Sequence, residues 1–354
     1  MAEHGGEERM CQLVANELCR RGYSVTVVLT DQLKNEGIIY PLDSGIKLYY
    51  LQQNRIERKL NTLFSKLSIL HYRHILRKNH VNVVLDVGSP KSLLTTKAVD
   101  GLDIKVVCWD HFNYEAFRKR WCYDKLKQLI GEGKIHKLVV LTKDDVKSYA
   151  ENEKDLPKDF VCQIYNPSPI QTVSYTPRPA KKVLACGRLA QQKGFDYLLD
   201  AWKEVEESDS EWELEIVGDG YSRKDLEQQI VRNNLQRVTI SHFTDNVRAK
   251  YSEAGIFVFS SRYEGLGLVL LEAESMSLPL VSFDCPCGPR EIIQHGYNGY
   301  LAEAENPHDL AEKLLAVMSD DKLREQMGRN AFESSRQFRT DEIIDQWEAL
   351  IRQL

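Results

Sequence analysis

The sequence predicts an α/β protein made of two doubly wound, parallel-sheet domains. Short apolar runs alternate with amphipathic helical segments along nearly the whole chain. Four prolines, Pro167, Pro169, Pro177 and Pro179, interrupt the alternation, which then restarts. In the second half, Ile256–Phe259 runs into Gly265 and Gly267 and then into a helical pattern from Leu268, a strand–glycine–helix unit of the anion-binding kind. At 354 residues the chain has room for two such domains. The expected division is residues 1–168, a linker at 169–180, residues 181–336, and a closing helix at 337–354.

In order, a helix with Met10, Leu13, Val14 and Leu18 on one face stops at Gly22, and Tyr23 to Leu29 is a strand. Gly5-Gly6 opens that helix with four residues ahead of it, whereas a βαβ unit has a strand there. The first domain is therefore expected to lack its first, central strand. Ile46–Leu51 reads as a strand and Ile56–Lys78 as a helix. Strands at 81–87 and 105–109 follow, with a helix at 92–99 between them. A helix at 114–130, a strand at 138–142, a helix at 143–151 and a strand at 160–165 complete the first half. After the prolines come strands at 182–186, 213–217, 238–241, 256–259, 280–283 and 299–301. Helices at 195–205, 223–233 and 245–254 lie between the earlier ones. Helices at 306–318, 321–336 and 340–354 close the chain.

The stretch Ile256–Ser277 organises the second half. Its glycine turn and helix N-terminus form an anion site, because free backbone N–H groups and the helix dipole converge there. Glu264 precedes the turn, and Glu272 follows inside the helix among Leu270, Leu271 and Ala273. Gly187-Arg188 and Lys193-Gly194 follow the first strand of the second half, placing a guanidinium and an ammonium at a strand's carboxyl end.

Glu-x7-Glu after a strand ending in Ser260-Ser261 resembles the donor-site signature of the retaining family 4 glycosyltransferases (glycosyltransferase group 1, GT-B fold). The resemblance implies two Rossmann-like domains facing across a cleft, with the closing helix, 337–354, packing back on the first. It implies a transfer of the hexosyl class, from a nucleotide diphosphate sugar, with uridine the expected base, to a hydroxyl acceptor. By the same resemblance Arg188 and Lys193 hold the pyrophosphate, helped by Gly187 and by the backbone at Gly265, Leu266, Gly267 and Leu268. Glu272 takes the ribose hydroxyls and Glu264 lies at the transferred sugar. Gly5 and Gly6 match a glycine loop near the reacting phosphate or acceptor. Thr244, within His242–Asp245, lies where the backbone meets the base. Gly218, in Gly218-Asp219-Gly220, reads equally as part of the nucleotide pocket and as an ordinary tight turn. His111, just after a strand, reads equally as a residue near the reaction centre and as a structural histidine.

No metal and no cofactor is expected, since protein cations neutralise the diphosphate. Cys285-Pro-Cys287 has the wrong spacing for a zinc knuckle. The net charge of −5 argues against general nucleic-acid binding. No apolar run approaches the ~18 residues of a membrane span, no secretory leader is legible in Met1–Arg9, and the eight cysteines read as reduced thiols of a cytoplasmic protein. Between Leu51 and His80 there are seven Lys or Arg and one acidic residue. The helix at 55–78 is therefore expected to touch an anionic membrane, where a lipid-linked or envelope-glycan acceptor of bacterial polysaccharide or lipopolysaccharide synthesis would be presented. A sugar-nucleotide epimerase of the same fold and an inactive nucleotide-sugar-binding subunit are the rival readings.

Overall fold

The computed structural model describes residues 5–33, 38–52, 66–208 and 211–354. It divides into two compact units, Met1–Pro167 with Thr340–Leu354, and Ser168–Arg339.

In the first unit, α1 (Gly6–Arg20) precedes β1 (Thr26–Leu33), which pairs in parallel with β2 (Lys47–Gln52). Helix α2 (Lys66–Lys78) then leads to β3 (Val83–Val87), α3 (Ser92–Ala98) and β4 (Lys105–Trp109). Beyond these come α4 (Tyr114–Phe117), α5 (Tyr123–Gly131), β5 (Lys137–Val140), α6 (Lys143–Asn152) and β6 (Val161–Gln163). Strands β3-β4-β5-β6 form an all-parallel sheet in that order. Leu94, Ala98 and Val106 pack with Tyr72, Ile75 and Leu76 of α2 on one side of the unit's core.

The helix expected at 114–130 is two helices. Phe117, Cys122 and Leu126 are all buried. The five-residue step from Phe117 to Cys122 is about 140° of helix, so one continuous helix would turn Cys122 off the core face. Turns at Arg120 and Tyr123 restore the phase. Residues 55–65 of the expected basic helix lie outside the described residues. From Lys66 on, α2 buries Tyr72, Ile75 and Leu76 and leaves Leu67 and Leu70 65% and 61% exposed.

Among the described residues no strand lies between β1 and β3. Val25–Thr30 and Val81–Val87 instead line one cavity of about 500 Å³, with Val14, Ala15 and Leu18 of α1 along it.

The second unit carries β7 (Lys182–Cys186), α7 (Phe195–Ser208), β8 (Glu213–Val217), α8 (Arg223–Arg232), β9 (Val238–Ser241) and α9 (Val247–Glu253). It continues with β10 (Ile256–Phe259), α10 (Leu268–Ser275), β11 (Leu280–Phe283), α11 (Pro289–Ile292) and β12 (Gly299–Ala302). Helices α12 (Pro307–Met318) and α13 (Asp321–Ser334) end it. Its six strands are parallel, in the order β12-β11-β10-β7-β8-β9. That is the doubly wound order, which reverses between β7 and β10. β10 and β11 are buried at every position, which is why they read as continuous apolar runs. Trp202 and Trp212 anchor the core beside β7 and β8.

The last helix, α14 (Thr340–Gln353), belongs to the first unit. Its Trp347 is fully buried and meets Trp109 edge-on at 4.9 Å between ring centroids. Arg21, past the end of α1, donates to Asp345 and to Glu348, the latter at 2.9 Å.

Candidate active site

Where strand order reverses, the loops after the two adjacent strands diverge, and ligands of doubly wound sheets bind in the resulting crevice. In the second unit those loops follow β7 and β10.

The β7 loop holds Gly187 and Arg188, then a 3-10 turn, Gln191–Lys193, closed by Gly194. Gly194 sits at φ +61°, and a Cβ there would lie 2.0 Å from the Ser260 carbonyl oxygen. Only glycine lets the two loops approach this closely. Arg262 fastens the turn. Its backbone N–H donates to Gln192 O at 2.8 Å, and its guanidinium forks onto Asp196 at 2.9 and 2.6 Å. Lys193 is thereby aimed at the β10 loop, where its ammonium lies 2.5 Å from Glu264 Oε1. Ser261 Oγ donates to the same oxygen at 2.7 Å. Arg188 is exposed on the same loop.

Past Glu264, Gly265 and the buried Leu266 lead to Gly267, the N-cap of α10, with φ +92° and no side-chain cap. The first turn of α10, from Leu268, carries no acidic residue. The helix thus offers its positive end with no carboxylate of its own first turn to neutralise it, as suits an anion site. Glu272 is the fifth residue of α10 and is 3% exposed. Its Oε2 accepts a hydrogen bond from Tyr251 of α9 at 2.8 Å.

Gly218 directly follows β8, and a Cβ there would come within 1.9 Å of the Gly187 carbonyl oxygen, so it lets the β7 and β8 loops touch. Asp219 next to it accepts from the Phe243 N–H at 2.9 Å and lies 2.7 Å from His242 Nδ1. The Phe243 N–H and His242 hold its carboxyl down, at about 2. Thr244 is half-buried in the same loop and its Oγ1 accepts from the Asn246 N–H at 3.1 Å.

The structure thus brings Gly187, Lys193, Glu264 and Gly267 to one crevice, with Arg188 on its loop, Glu272 one turn deeper and Gly218 beside it. Gly5, Gly6 and His111 are in the first unit. Gly5 is the N-cap of α1 and Gly6 its first residue. Glu7 follows, 3.7 Å from Lys91, which stands in the turn after β3. His111 stacks on Trp109 with 4.7 Å between rings, and its Nε2 has no hydrogen-bond partner among the described residues. Burial, with Lys91 adding to it, drops the imidazole to about 3. It is neutral at physiological pH. Asp110 beside it is 1% exposed, and burial pushes its carboxyl up to about 7.

Sequence reasoning did not single out Lys91, Arg262 or Tyr251. Lys91 had a usable signal, a cation in the turn at the carboxyl end of a strand, as with Lys193. Arg262 lies inside the stretch that defined the site. Tyr251 had none, since a tyrosine on an amphipathic helix reads as core.

Residues 172–334 match the family model described as glycosyl transferases group 1. The second unit thus carries a glycosyltransferase group 1 domain, and the chain is a transferase. The enzyme is 28% identical to the amylovoran biosynthesis glycosyltransferase AmsD of Erwinia amylovora, over 99% of this chain and 97% of that one. The GT-B fold of two Rossmann-like domains is shared with solved structures. Anabaena Alr3699/HepE in complex with UDP has a TM-score of 0.81 at 17% identity, covering 100% of this chain and 98% of that one. This likeness shows the fold alone. A TarM variant of S. aureus in complex with Fondaparinux, alpha-GlcNAc-glycerol and UDP has a TM-score of 0.68 at 25% identity. It covers 80% of this chain, which spans 58% of that longer one.

Proposed function

We propose that this glycosyltransferase moves a sugar from a UDP-sugar to a hydroxyl acceptor with retention of anomeric configuration. The acceptor is a bacterial envelope glycan, carried on lipid, in polysaccharide or lipopolysaccharide synthesis. The observation that carries the reading is the crevice between the β7 and β10 loops, where a lysine, an uncapped helix N-terminus and two buried carboxylates converge. Arg188, Lys193 and the first N–H groups of α10 take the departing diphosphate, the group on which charge develops. Glu264 faces the sugar and Glu272 the ribose. Neutral His111 offers a hydrogen bond without a charge, and Gly5 and Gly6 present backbone and no side chain at the start of α1. In retention of this kind, the acceptor attacks the face that the diphosphate leaves, and the diphosphate takes the acceptor's proton. No metal or other cofactor is required, because the cations are the protein's own. The relatives support the pathway and the base: AmsD is named for amylovoran biosynthesis, and the TarM variant was solved with UDP.

The test is a panel of sugar nucleotides with lipid-linked glycans, followed by NMR of the new glycosidic linkage. Acceptor-dependent UDP release with a retained anomer is expected. An inverted linkage overturns retention. Release of a different nucleotide diphosphate overturns the uridine assignment.

The lipid part of the reading rests on α2. Leu67 and Leu70 are exposed there beside exposed Lys66, Arg77 and Lys78, a surface suited to an anionic membrane from the cytoplasmic side. Arg73 is otherwise engaged, donating to the Ala98 and Asp100 carbonyls at 3.1 and 2.6 Å. Among the described residues no helix is long and apolar enough to cross a membrane. Salt-sensitive cosedimentation with phosphatidylserine vesicles is expected, and its loss on replacing Leu67, Leu70, Arg77 and Lys78 by Gln. A protein that stays in the supernatant at low salt overturns membrane contact.

A further inference from the structure

The Tyr251–Glu272 hydrogen bond joins α9 to α10. Tyr251 is fully buried on α9, its ring 5.7 Å from that of Phe257 in β10. Its hydroxyl lies 2.8 Å from Glu272 Oε2 and 3.4 Å from the Val269 carbonyl oxygen of the same helix. A phenol buried this deeply needs a polar partner, and a carboxylate is a strong one, since bonds to ionised acceptors are about twice as strong as neutral ones. Burial also constrains Glu272. A glutamate carboxylate turns about the last bond of its side chain, whose torsion is broad. A donor fixed on another helix removes that freedom at one oxygen. A carboxylate offers roughly four lone-pair sites on two oxygens, so accepting from Tyr251 still leaves capacity for a vicinal diol.

We propose that Tyr251 is a positioning residue that holds the Glu272 carboxylate in the orientation in which it accepts both hydroxyls of a ribose, and that the pair thereby makes the site select ribonucleotides over deoxyribonucleotides. The inference rests on the reading of Glu272 as the ribose acid. It adds the residue that makes this acid selective. Without the phenol, the carboxylate keeps its charge and place but not its orientation. The loss therefore falls on ligands that carry both hydroxyls.

The experiment compares uridine diphosphate with 2′-deoxyuridine diphosphate by calorimetry, and runs the same pair for adenosine and guanosine so that the result does not depend on the base. In the unaltered enzyme the ribonucleotide binds at least tenfold more tightly. Tyr251→Phe, which keeps the ring, lowers that preference about fivefold while leaving the deoxynucleotide affinity and the kcat at saturating donor near their original values. Glu272→Gln removes the preference, and Tyr251→Phe added to it has no further effect. Glu272→Asp, which draws the charge back from the phenol, is the second variant and loses preference as Tyr251→Phe does. An unchanged preference in Tyr251→Phe alongside its collapse in Glu272→Gln overturns the proposal, leaving Tyr251 a packing residue. Unchanged preference in both overturns the ribose reading of Glu272 itself. Equal losses for ribo- and deoxynucleotides in Tyr251→Phe also overturn the proposal, because a general loosening of α9 does not discriminate.

Discussion

Lys193 and Glu264 form an ion pair across the point where the second unit's strand order reverses, with 2.5 Å between Nζ and Oε1. The two residues come from different loops, and their side chains are only 19% and 10% exposed. A half-buried pair of this kind couples stability to binding. Removing the lysine leaves a buried carboxylate without its cation, which costs more than the pair itself contributes. Removing the acid frees a lysine at a site built for anions.

The two single variants should therefore behave in opposite ways. Lys193→Met is expected to lower the melting temperature and to cut transfer on the order of 10²-fold or more. Adding Glu264→Gln to it should recover most of the stability but none of the activity. Glu264→Gln alone should bind free nucleoside diphosphate at least as well as the unaltered enzyme, while turnover falls. Arg188→Ala should lose activity without the stability cost, because Arg188 is exposed. Calorimetry and thermal unfolding on the four proteins decide this. A loss of diphosphate affinity in Glu264→Gln equal to that in Lys193→Met would remove the division of labour. Transfer abolished by chelator and restored by magnesium would show that the protein's cations do not suffice.

The second unit was legible to within a residue or two because its strands are parallel and buried on both faces. Residues 182–186, 213–217, 238–241, 256–259 and 280–283 stand as strands where the apolar runs end. The loops that follow two of those strands carry Lys193, Glu264 and Gly267, whose place at the strands' carboxyl ends was legible, while the roles proposed for them came from the family resemblance. The first unit was less legible. Polar residues at the end of β1 extend that strand to Leu33, and the break between α4 and α5 comes from the core phase of Cys122, a tertiary matter. Tyr251 and Lys91 take their meaning from neighbours distant in sequence, and no local pattern announces them.

Ser277 is a further case of a local rule set aside. Its N–H donates to Glu274 O at 3.0 Å, and the Leu278 N–H to Ala273 O at 3.1 Å, the two bonds of a Schellman helix ending. That ending places a residue in the left-handed region, where Ser277 stands at φ +64°. Side chains other than glycine's are strained there by roughly 1 kcal/mol or more. Ser277→Gly should raise stability by about 0.5–1 kcal/mol, part of the strain relief being offset by glycine's larger unfolded-state entropy. Its hydroxyl is a weak acceptor for the Thr176 N–H at 3.5 Å, so little is lost. A lower denaturation midpoint would mean that this contact matters more than the backbone strain.

Asp110 and His111 are adjacent, yet they titrate against stability in opposite directions. Burial raises Asp110 to about 7 from 3.8, so between these values the folded chain holds a proton that the unfolded chain has released. Its contribution to stability is present below pH 3.8 and is lost as pH rises towards 7. His111 falls to about 3 from 6.5, so the unfolded chain binds the proton first, and its contribution is lost as pH drops through that interval. Asp110→Asn should match the unaltered protein near pH 4 and exceed it by a growing margin up to pH 7, on the order of 1 kcal/mol per pH unit. Above pH 7 the margin should stay constant. Asp86, raised to about 6 by burial, keeps a residual slope of the same sign in both proteins. Unfolding curves across pH 4 to 8 that run parallel for the two proteins would show that Asp110 is ionised in the folded chain throughout.

The cavity between β1 and β3 gives the last prediction. Among the described residues β1 pairs with β2 alone and β3 with β4 alone, so each has an edge turned to the same apolar space of about 500 Å³. Backbone groups on such edges need partners, and parallel strands sit about 4.8 Å apart. One extended strand between them would satisfy both edges and give the order β2-β1-strand-β3-β4-β5-β6, which reverses as the second unit's order does. The start of α1 lies beside the turn after β3, through Glu7 and Lys91, so a strand joined ahead of His4 can enter the slot in the parallel sense. An added strand of six apolar residues should raise the melting temperature by on the order of 5 °C, since each apolar side chain newly buried there contributes about 1.5–3 kcal/mol before ordering costs. Amide exchange at Val27, Val28, Val84 and Leu85 should slow by at least tenfold. The same extension with serine and lysine in place of the apolar residues should do neither, because burying those side chains is unfavourable. Equal melting temperatures and unchanged exchange with the apolar strand would show that the first unit closes its sheet in another way.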